Sequence, residues 1–401
     1  MSTHTHGVEL SEVPAYLRRR LAVAAVALGL LTLIGMFALW PRHGVSDRLR
    51  EFGLGSPTYD ARIIEIDLDR SCETVTGLVD TPTDFTDEDP LNICPVAEVR
   101  LLGGPDEGDA IEIGLPASGS EDFRRGDRLV LNREDAGEEV VYSFADRQRK
   151  SVLIALALLF AAAVVVLGRW RGAAALAGLA ASMAVLVVFV LPAILDGRSP
   201  VLVAVVGASA IAFLALYMSH GFGPMTTVAL LGTLASLVLT LLLAILFTNL
   251  AKFSGFVSDE AAIVSLADVR IDLVGLTLGG IVIGALGAID DITVTQASAV
   301  WELRAANPSL SARQLYQSAL RIGRDHIAST VNTLALAYAG ASMPLLLLFV
   351  LSKQSLGTVA NGELVATELV RTLVGSIGLV AAVPVTTALA CVVTTRARKP
   401  S

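Results

Sequence analysis

Charged side chains are scarce in this chain. Only 17% of its 401 residues are Asp, Glu, Lys or Arg, where a soluble domain carries about a quarter. The 53 residues from Ser199 to Ala251 contain none. Lysine occurs four times, as Lys150, Lys252, Lys353 and Lys399, and never after a glycine. That excludes a G-x-x-x-x-G-K-[ST] phosphate loop, and with it transport driven by ATP bound to this chain. The five histidines, His4, His6, His43, His220 and His326, form no H-E-x-x-H, and no G-x-S-x-G occurs. No nucleophile or metal set emerges, so the expectation is a protein that is not an enzyme, with no cofactor and no metal. Cysteine is limited to Cys72, Cys94 and Cys391.

What the chain has instead is apolar sequence. Hydrophobic residues make up 54%, and the mean hydropathy is +0.66. About 20 apolar residues cross the hydrocarbon core as a helix. Eight segments meet that length: Leu21–Trp40, Ser151–Leu167, Ala173–Leu195, Pro200–Met218, Met225–Leu250, Ile271 to beyond Ile289, Ile327–Leu351 and Leu369–Thr395. Leu21–Trp40 has no A-x-A-like site after it and reads as a retained anchor. Basic residues collect on the cytoplasmic side of membrane proteins. With the N-terminus inside, Arg18, Arg19, Arg20, Arg169, Arg171, Arg304, Arg313, Arg321, Arg324, Arg396, Arg398 and Lys399 all fall there. Arg198, Lys252, Arg270, Lys353 and Arg371 fall on the other side. Both termini are then cytoplasmic, in a bacterial cell (inner) membrane.

Residues 41–150 are the exception in composition. They hold 25 acidic residues against 13 Lys and Arg, a balance that argues against nucleic acid as a partner. Short alternating runs at Tyr59–Leu68, Glu73–Val79, Ala97–Leu102, Ala110–Leu115, Arg128–Leu131 and Glu139–Phe144 are punctuated by Gly, Pro, Asp and Asn. That pattern predicts a small β barrel, OB-like, or a sandwich. If this domain is extracytoplasmic, a Cys72–Cys94 disulfide fits, with two buried thiols as the alternative. Asp84, Asp87, Glu88 and Asp89 match no defined calcium loop and read as an acidic loop. The fold class is an α-helical membrane bundle of about eight transmembrane helices with this small β-rich domain. Its divisions are 1–20 (cytoplasmic), 21–40 (anchor), 41–150 (outer domain), 151–395 (seven membrane helices, with an amphipathic surface helix at 309–325) and 396–401 (basic tail).

The most informative membrane segment is the sixth. Gly275, Gly279, Gly280, Gly284 and Gly287 give two G-x-x-x-G spacings, which allow another helix to approach closely. Packing within the chain is the first expectation, and a homo-oligomer the second. Asp290 and Asp291 follow at the cytoplasmic end. Asp291, Thr295, Ser298 and Glu302 share one helix face, and Asp290 points about 100° away. Carboxylates at such depth are costly and mark ion or proton paths, unless water simply wets them at the interface. Asn307-Pro308-Ser309 then signals a helix start, and Arg313, Gln317, Arg321 and Arg324 line one face of an amphipathic helix suited to a lipid surface. In the seventh span Asp325, Ser329 and Asn332 share a face, and the simplest arrangement turns them toward Asp290 and Asp291. His326 stands beside them.

Three stretches carry a family likeness: Met218-Ser219-His220-Gly221-Phe222, Gly284 through Asp291, and Ile322 through Leu334. They resemble the YibE/F-like multi-pass bacterial membrane proteins, across roughly residues 20–395. A weaker similarity links the Gly-rich helix ending in Asp to the SecD/SecF and resistance-nodulation-division membrane halves, although seven spans here follow the outer domain where their repeat has five. That second resemblance implies proton coupling through Asp290 and Asp291, with Asp325, Ser329 and Asn332 as polar partners. The function expected is a secondary, proton- or cation-coupled transporter or an export-assisting protein. The alternative is a non-transporting scaffold or sensor acting through the outer domain. The expected partners are the lipid bilayer and an unidentified substrate or protein.

Overall fold

The computed structural model describes residues 13–42, 57–68, 95–116, 122–136, 139–255, 271–351 and 355–396. Cys72, Cys94, the run Glu73–Val79 and the acidic residues from Asp84 to Asp89 lie outside the described residues. The chain divides into two compact units: Ser46–Ala163, and Met1–Val45 together with Val164–Ser401.

The first unit is built on five strands: β1 (Thr58–Asp67), β2 (Val96–Leu101), β3 (Ala110–Gly114), β4 (Arg128–Ala136) and β5 (Glu139–Arg147). They form one curled antiparallel sheet in the order β3-β2-β1-β4-β5. The period of two decides which side chains go in. In β2, Val96, Ala97, Val99 and Leu101 are buried while Glu98 and Arg100 are exposed. Register pairs Ala61 with Leu101 on one side of β1 and Tyr59 with Leu131 on the other. Ala61, Ile63, Val99, Leu101, Ile113, Phe123, Leu129 and Leu131 make the core, where Phe123 and Phe144 meet edge to face at 5.7 Å. β4 outruns the expected Arg128–Leu131 by five residues. Asn132, Arg133, Glu134 and Asp135 are poor strand formers, but each pairs with β5 across the hairpin. Ladder pairing overrides local propensity there.

The second unit is helical: α1 (Ala15–Leu39), α2 (Lys150–Leu195, whose first turns belong to the sheet unit), α3 (Pro200–His220), α4 (Pro224–Ala251), α5 (Leu273–Ala306), α6 (Ala312–Ala341), α7 (Met343–Leu351), α8 (Leu356–Asn361) and α9 (Glu363–Arg396). Six of these are long and apolar enough to cross a membrane: α1, α2, α3, α4, α5 and α9. Two features account for the difference from eight. The second and third expected spans are both present within α2, as two helices that meet at a kink at Arg169 (φ 52°, ψ −134°), where a Cβ on Gly172 would run into the Val164 carbonyl eight residues back. The seventh is divided at Ser342 between α6 and α7. The polar stretch 309–325 does not stand as a separate surface helix. It opens α6 through a capping box in which Ser311 and Gln314 satisfy each other's backbone N–H groups, and the helix runs on to Ala341. Gly323 does not break it, because that glycine is packed against α5 and α9.

Packing centres on α4, α5 and α9, with α3 against α5 and α6 against α5 and α9. Ala212, Leu216, Ala229, Leu230, Val282, Ile289, Ile292, Leu379 and Val383 fill the middle. Outward residues such as Val238, Leu242, Leu246 and Leu250 are exposed. That is the distribution expected of a bundle whose solvent is hydrocarbon.

α4 and α9 approach through two reciprocal contacts. A Cβ on Gly232 would fall 2.1 Å from Thr386 Oγ1, and one on Gly378 would fall 2.0 Å from Thr240 Oγ1. Each helix contributes one glycine and one threonine, eight positions apart, so a single antiparallel register serves both. Small residues that let backbones come close are the usual device where water does not drive packing.

A candidate ion-coupling site

α4 carries Thr226, Thr233, Ser236, Thr240 and Thr248 on its inward side, all buried. Facing them are Thr277, Thr293 and Gln296 of α5 and Thr367, Thr386, Thr387 and Thr394 of α9, also buried. Five of these hydroxyls are retired by their own helix. Thr240 donates to the Ser236 carbonyl at 2.9 Å, Thr277 to Leu273 at 3.1 Å and Thr387 to Val383 at 2.6 Å. Several are not. Ser236 Oγ, Thr248 Oγ1, Thr367 Oγ1, Thr386 Oγ1 and both amide atoms of Gln296 are buried with no hydrogen-bond partner among the described residues. Such atoms cost free energy comparable to a lost hydrogen bond.

Asp290 belongs to this set. Its Oδ1 is buried and unpartnered, and the polar neighbours of its carboxyl are Thr233 and Asp291. A short hydroxyl chain fixes the surroundings. Thr293 Oγ1 donates to the Asp290 carbonyl at 2.9 Å, and Thr233 and Thr293 share a 2.7 Å hydroxyl contact. Either hydroxyl can be the donor in the Thr233–Thr293 contact.

Asp291 is elsewhere. It is exposed, with Thr295 Oγ1 donating to its carbonyl at 2.8 Å, and it is a charged neighbour of His220, as is Arg171. The 100° between the two aspartates puts one into the bundle and the other on its surface. Asp325, Ser329 and Asn332 do not turn toward Asp290: all three are exposed, as is His326. The side of α6 that packs inward is Leu315, Ala319 and Gly323, continued by Ile327 and Val331. Apolar residues at that four-residue step claimed the interior and rotated the polar stripe outward. α6 touches the site through Gly323 alone, where a Cβ would meet Gln296 Nε2 at 1.9 Å and Val383 Cγ1 at 2.5 Å.

The glycines divide by face. Gly275 and Gly279 are buried, and a Cβ on Gly279 would lie 3.1 Å from Ala204 of α3. Gly280, Gly284 and Gly287 are exposed. Tyr338 Oη stands 3.0 Å from where a Gly284 Cβ would be, and Arg371 Nη2 stands 3.9 Å from that of Gly280. Arg371 also binds Glu368 Oε1 at 2.8 Å. Arg313, Arg321 and Arg324 are exposed. Arg321 and Arg324, with Gln314, Gln317 and Ser318, line an open cavity of about 580 Å³. Among the described residues no three His, Cys, Asp or Glu side chains gather as a metal site.

Sequence reasoning missed Thr233, Ser236, Gln296, Thr386 and the Glu368–Arg371 pair. The signal was present: Thr226, Thr233 and Thr240 recur every seven residues, with Ser236 between the last two. That heptad marks one helix face.

A family model described as YibE/F-like protein matches residues 156–396, more than half of the chain. No curated protein matches it, and no solved structure does.

Proposed function

The chain belongs to the YibE/F-like family, a family of membrane proteins, and from that premise we propose that it is a secondary transporter in which Asp290 carries the coupling proton. The observation behind this reading is the Asp290 carboxyl itself. It projects from α5 beside Thr233 of α4, with a buried oxygen that has no partner among the described residues, in a setting where carboxylates are expensive and retained for ion handling. Among the described residues, few ligands for a metal cation stand beside it. A metal ion would require several converging oxygen ligands. Ser236 and Thr386, unpartnered on the two facing helices, are polar stations along the same interior, and Pro384 interrupts the hydrogen-bond ladder of α9 beside them.

The bias of basic residues supports placing both termini in the cytoplasm of a bacterial cell and residues 41–150 outside. The strand order β3-β2-β1-β4-β5, with β3 and β5 in contact, supports an OB-type barrel for the sheet. The test is proton flux into liposomes containing the purified chain under an imposed pH gradient. Asp290→Asn abolishes the protein-dependent flux, and Asp291→Asn keeps most of it. Undiminished flux in Asp290→Asn would overturn the reading.

A further inference from the structure

A second feature of the helical unit lies away from Asp290. The start of α1 passes over α3 and α4 and leaves a cavity of about 410 Å³. Its walls are nearly all apolar, with Leu21, Ala25, Val26, Phe213 and Phe222 among them. Two polar side chains in the wall are already satisfied. Thr227 Oγ1 donates to the Gly223 carbonyl at 2.9 Å, and the Tyr217 hydroxyl meets Thr227 Oγ1 at 3.1 Å. Tyr217 also stacks on Phe222, ring centroids 4.8 Å apart, which stiffens that wall. One polar group remains, the guanidinium of Arg18 at one end, exposed and with no carboxylate partner among the described residues. From Arg18 to Val26 the helix rises about 12 Å.

The ligand that fits has one anionic head and an extended apolar body. We propose that this groove binds a single anionic phospholipid, its phosphate on Arg18 and part of one acyl chain along Ala25, Val26 and Phe213. A soluble anion would leave the apolar length unused. A zwitterionic lipid would fill the groove but bring a cationic group close to Arg18 and to its exposed neighbours Arg19 and Arg20. The same end of the bundle also holds Trp301 and Leu315, packed with Leu17 and Leu21, so a lipid here would touch the element that anchors α1 to α4, α5, α6 and α9.

The experiment is native mass spectrometry of the full chain, released from micelles containing phosphatidylglycerol and phosphatidylcholine with identical acyl chains. The expected result is one retained phosphatidylglycerol per chain, favoured over phosphatidylcholine by about tenfold, because both lipids bring the same phosphate to Arg18 but only choline adds a cation that the guanidinium repels. Arg18→Gln removes the preference. Arg19→Gln, whose side chain does not line the groove, keeps it. Ala25→Phe fills the groove and removes the retained lipid, and Ala22→Leu does the same more gently should the larger change impair folding. Equal retention of the two lipids by the parent chain overturns the proposal. So does an Arg19→Gln effect as large as that of Arg18→Gln, or a lipid that survives Ala25→Phe in folded protein. A second copy of the chain or another protein found in place of lipid overturns it as well.

Discussion

Adding one methyl group at Gly378 tests the close approach of α4 and α9. The new Cβ would sit 2.0 Å from Thr240 Oγ1 and 3.2 Å from Thr240 Cβ. Rotating Thr240 about χ1 moves the oxygen but not Cβ, and it breaks the 2.9 Å bond to the Ser236 carbonyl. Overpacking of this kind costs about 1–3 kcal/mol, and the lost bond about 1 kcal/mol more. Against this, alanine is favoured over glycine in a helix by about 0.5–1 kcal/mol. Gly378→Ala is therefore destabilised by about 1–3 kcal/mol. Gly287→Ala is the control: nothing lies within 4 Å of its Cβ position, so only propensity acts and stability rises by about 0.5–1 kcal/mol. Thr240→Ala removes the obstructing atoms. In the double variant Gly378→Ala/Thr240→Ala the two costs fall short of additivity by about 1–2 kcal/mol. The assay is reversible unfolding of the purified chain in mixed micelles by titration with dodecyl sulfate. The reasoning is refuted if Gly378→Ala behaves like Gly287→Ala, or if the double variant is additive.

Other consequences are shorter to state. Glu363 accepts three bonds, from Ser254 N at 2.7 Å, Ser254 Oγ at 2.8 Å and Gly255 N at 2.7 Å. Glu363→Ala therefore lowers stability by about 1–3 kcal/mol in the same titration. Lys252 ends α4 in the left-handed region, φ 54° and ψ 45°, so Lys252→Gly raises stability by up to about 1 kcal/mol. In the sheet, Tyr142 ionises above its ordinary value of 10.0, first because it is partly desolvated and next because its hydroxyl donates to Asp106 Oδ2 at 2.5 Å. Its folded pKa exceeds its unfolded one, so its contribution to stability is whole below pH 10 and is lost as pH rises through the folded value. A near-ultraviolet absorbance titration shows a late phenolate component that Tyr142→Phe deletes and Asp106→Asn moves to lower pH.

Much of the fold is legible in the sequence because its two solvents write different patterns. In β2 the alternation runs from Ala97 to Leu101, with Ala97, Val99 and Leu101 inward against Glu98 and Arg100, since one face of the sheet meets water. The helices are legible as apolar runs, since hydrocarbon demands length before anything else. What apolar length does not record is where one helix stops. Gly168-Arg169-Trp170-Arg171-Gly172 reads as a connection, and the backbone makes it with the single non-helical residue Arg169. Ile327–Leu351 reads as one span, yet Ser342 divides it while the polar stretch before it joins the helix. Continuity is set by caps such as Ser311 and by what a glycine packs against, and neither changes local hydropathy.

The site was half legible for a related reason. A carboxylate announces itself in an apolar run, so Asp290 and Asp291 stand out equally. Only the azimuth separates them, and azimuth depends on which other residues claim the interior. The buried apolar residues around the pair, Ala285, Leu286, Ile289, Ile292 and Ala297, centre near the direction of Ile289; Asp290 lies about 100° from it and Asp291 about 160°, so hydrophobic packing carries Asp290 inward. The same competition worked against Asp325, Ser329 and Asn332. Ala319, Gly323, Ile327 and Val331 offer a continuous small-and-apolar face, and a stripe of polar groups yields to it. A buried polar group in a membrane bundle thus has to sit on the same side as the apolar residues that bury it. By that criterion Thr233, Ser236 and Thr240 were the better partners for Asp290, because they interleave with Ala229, Leu230 and Leu237 on the packed face of α4.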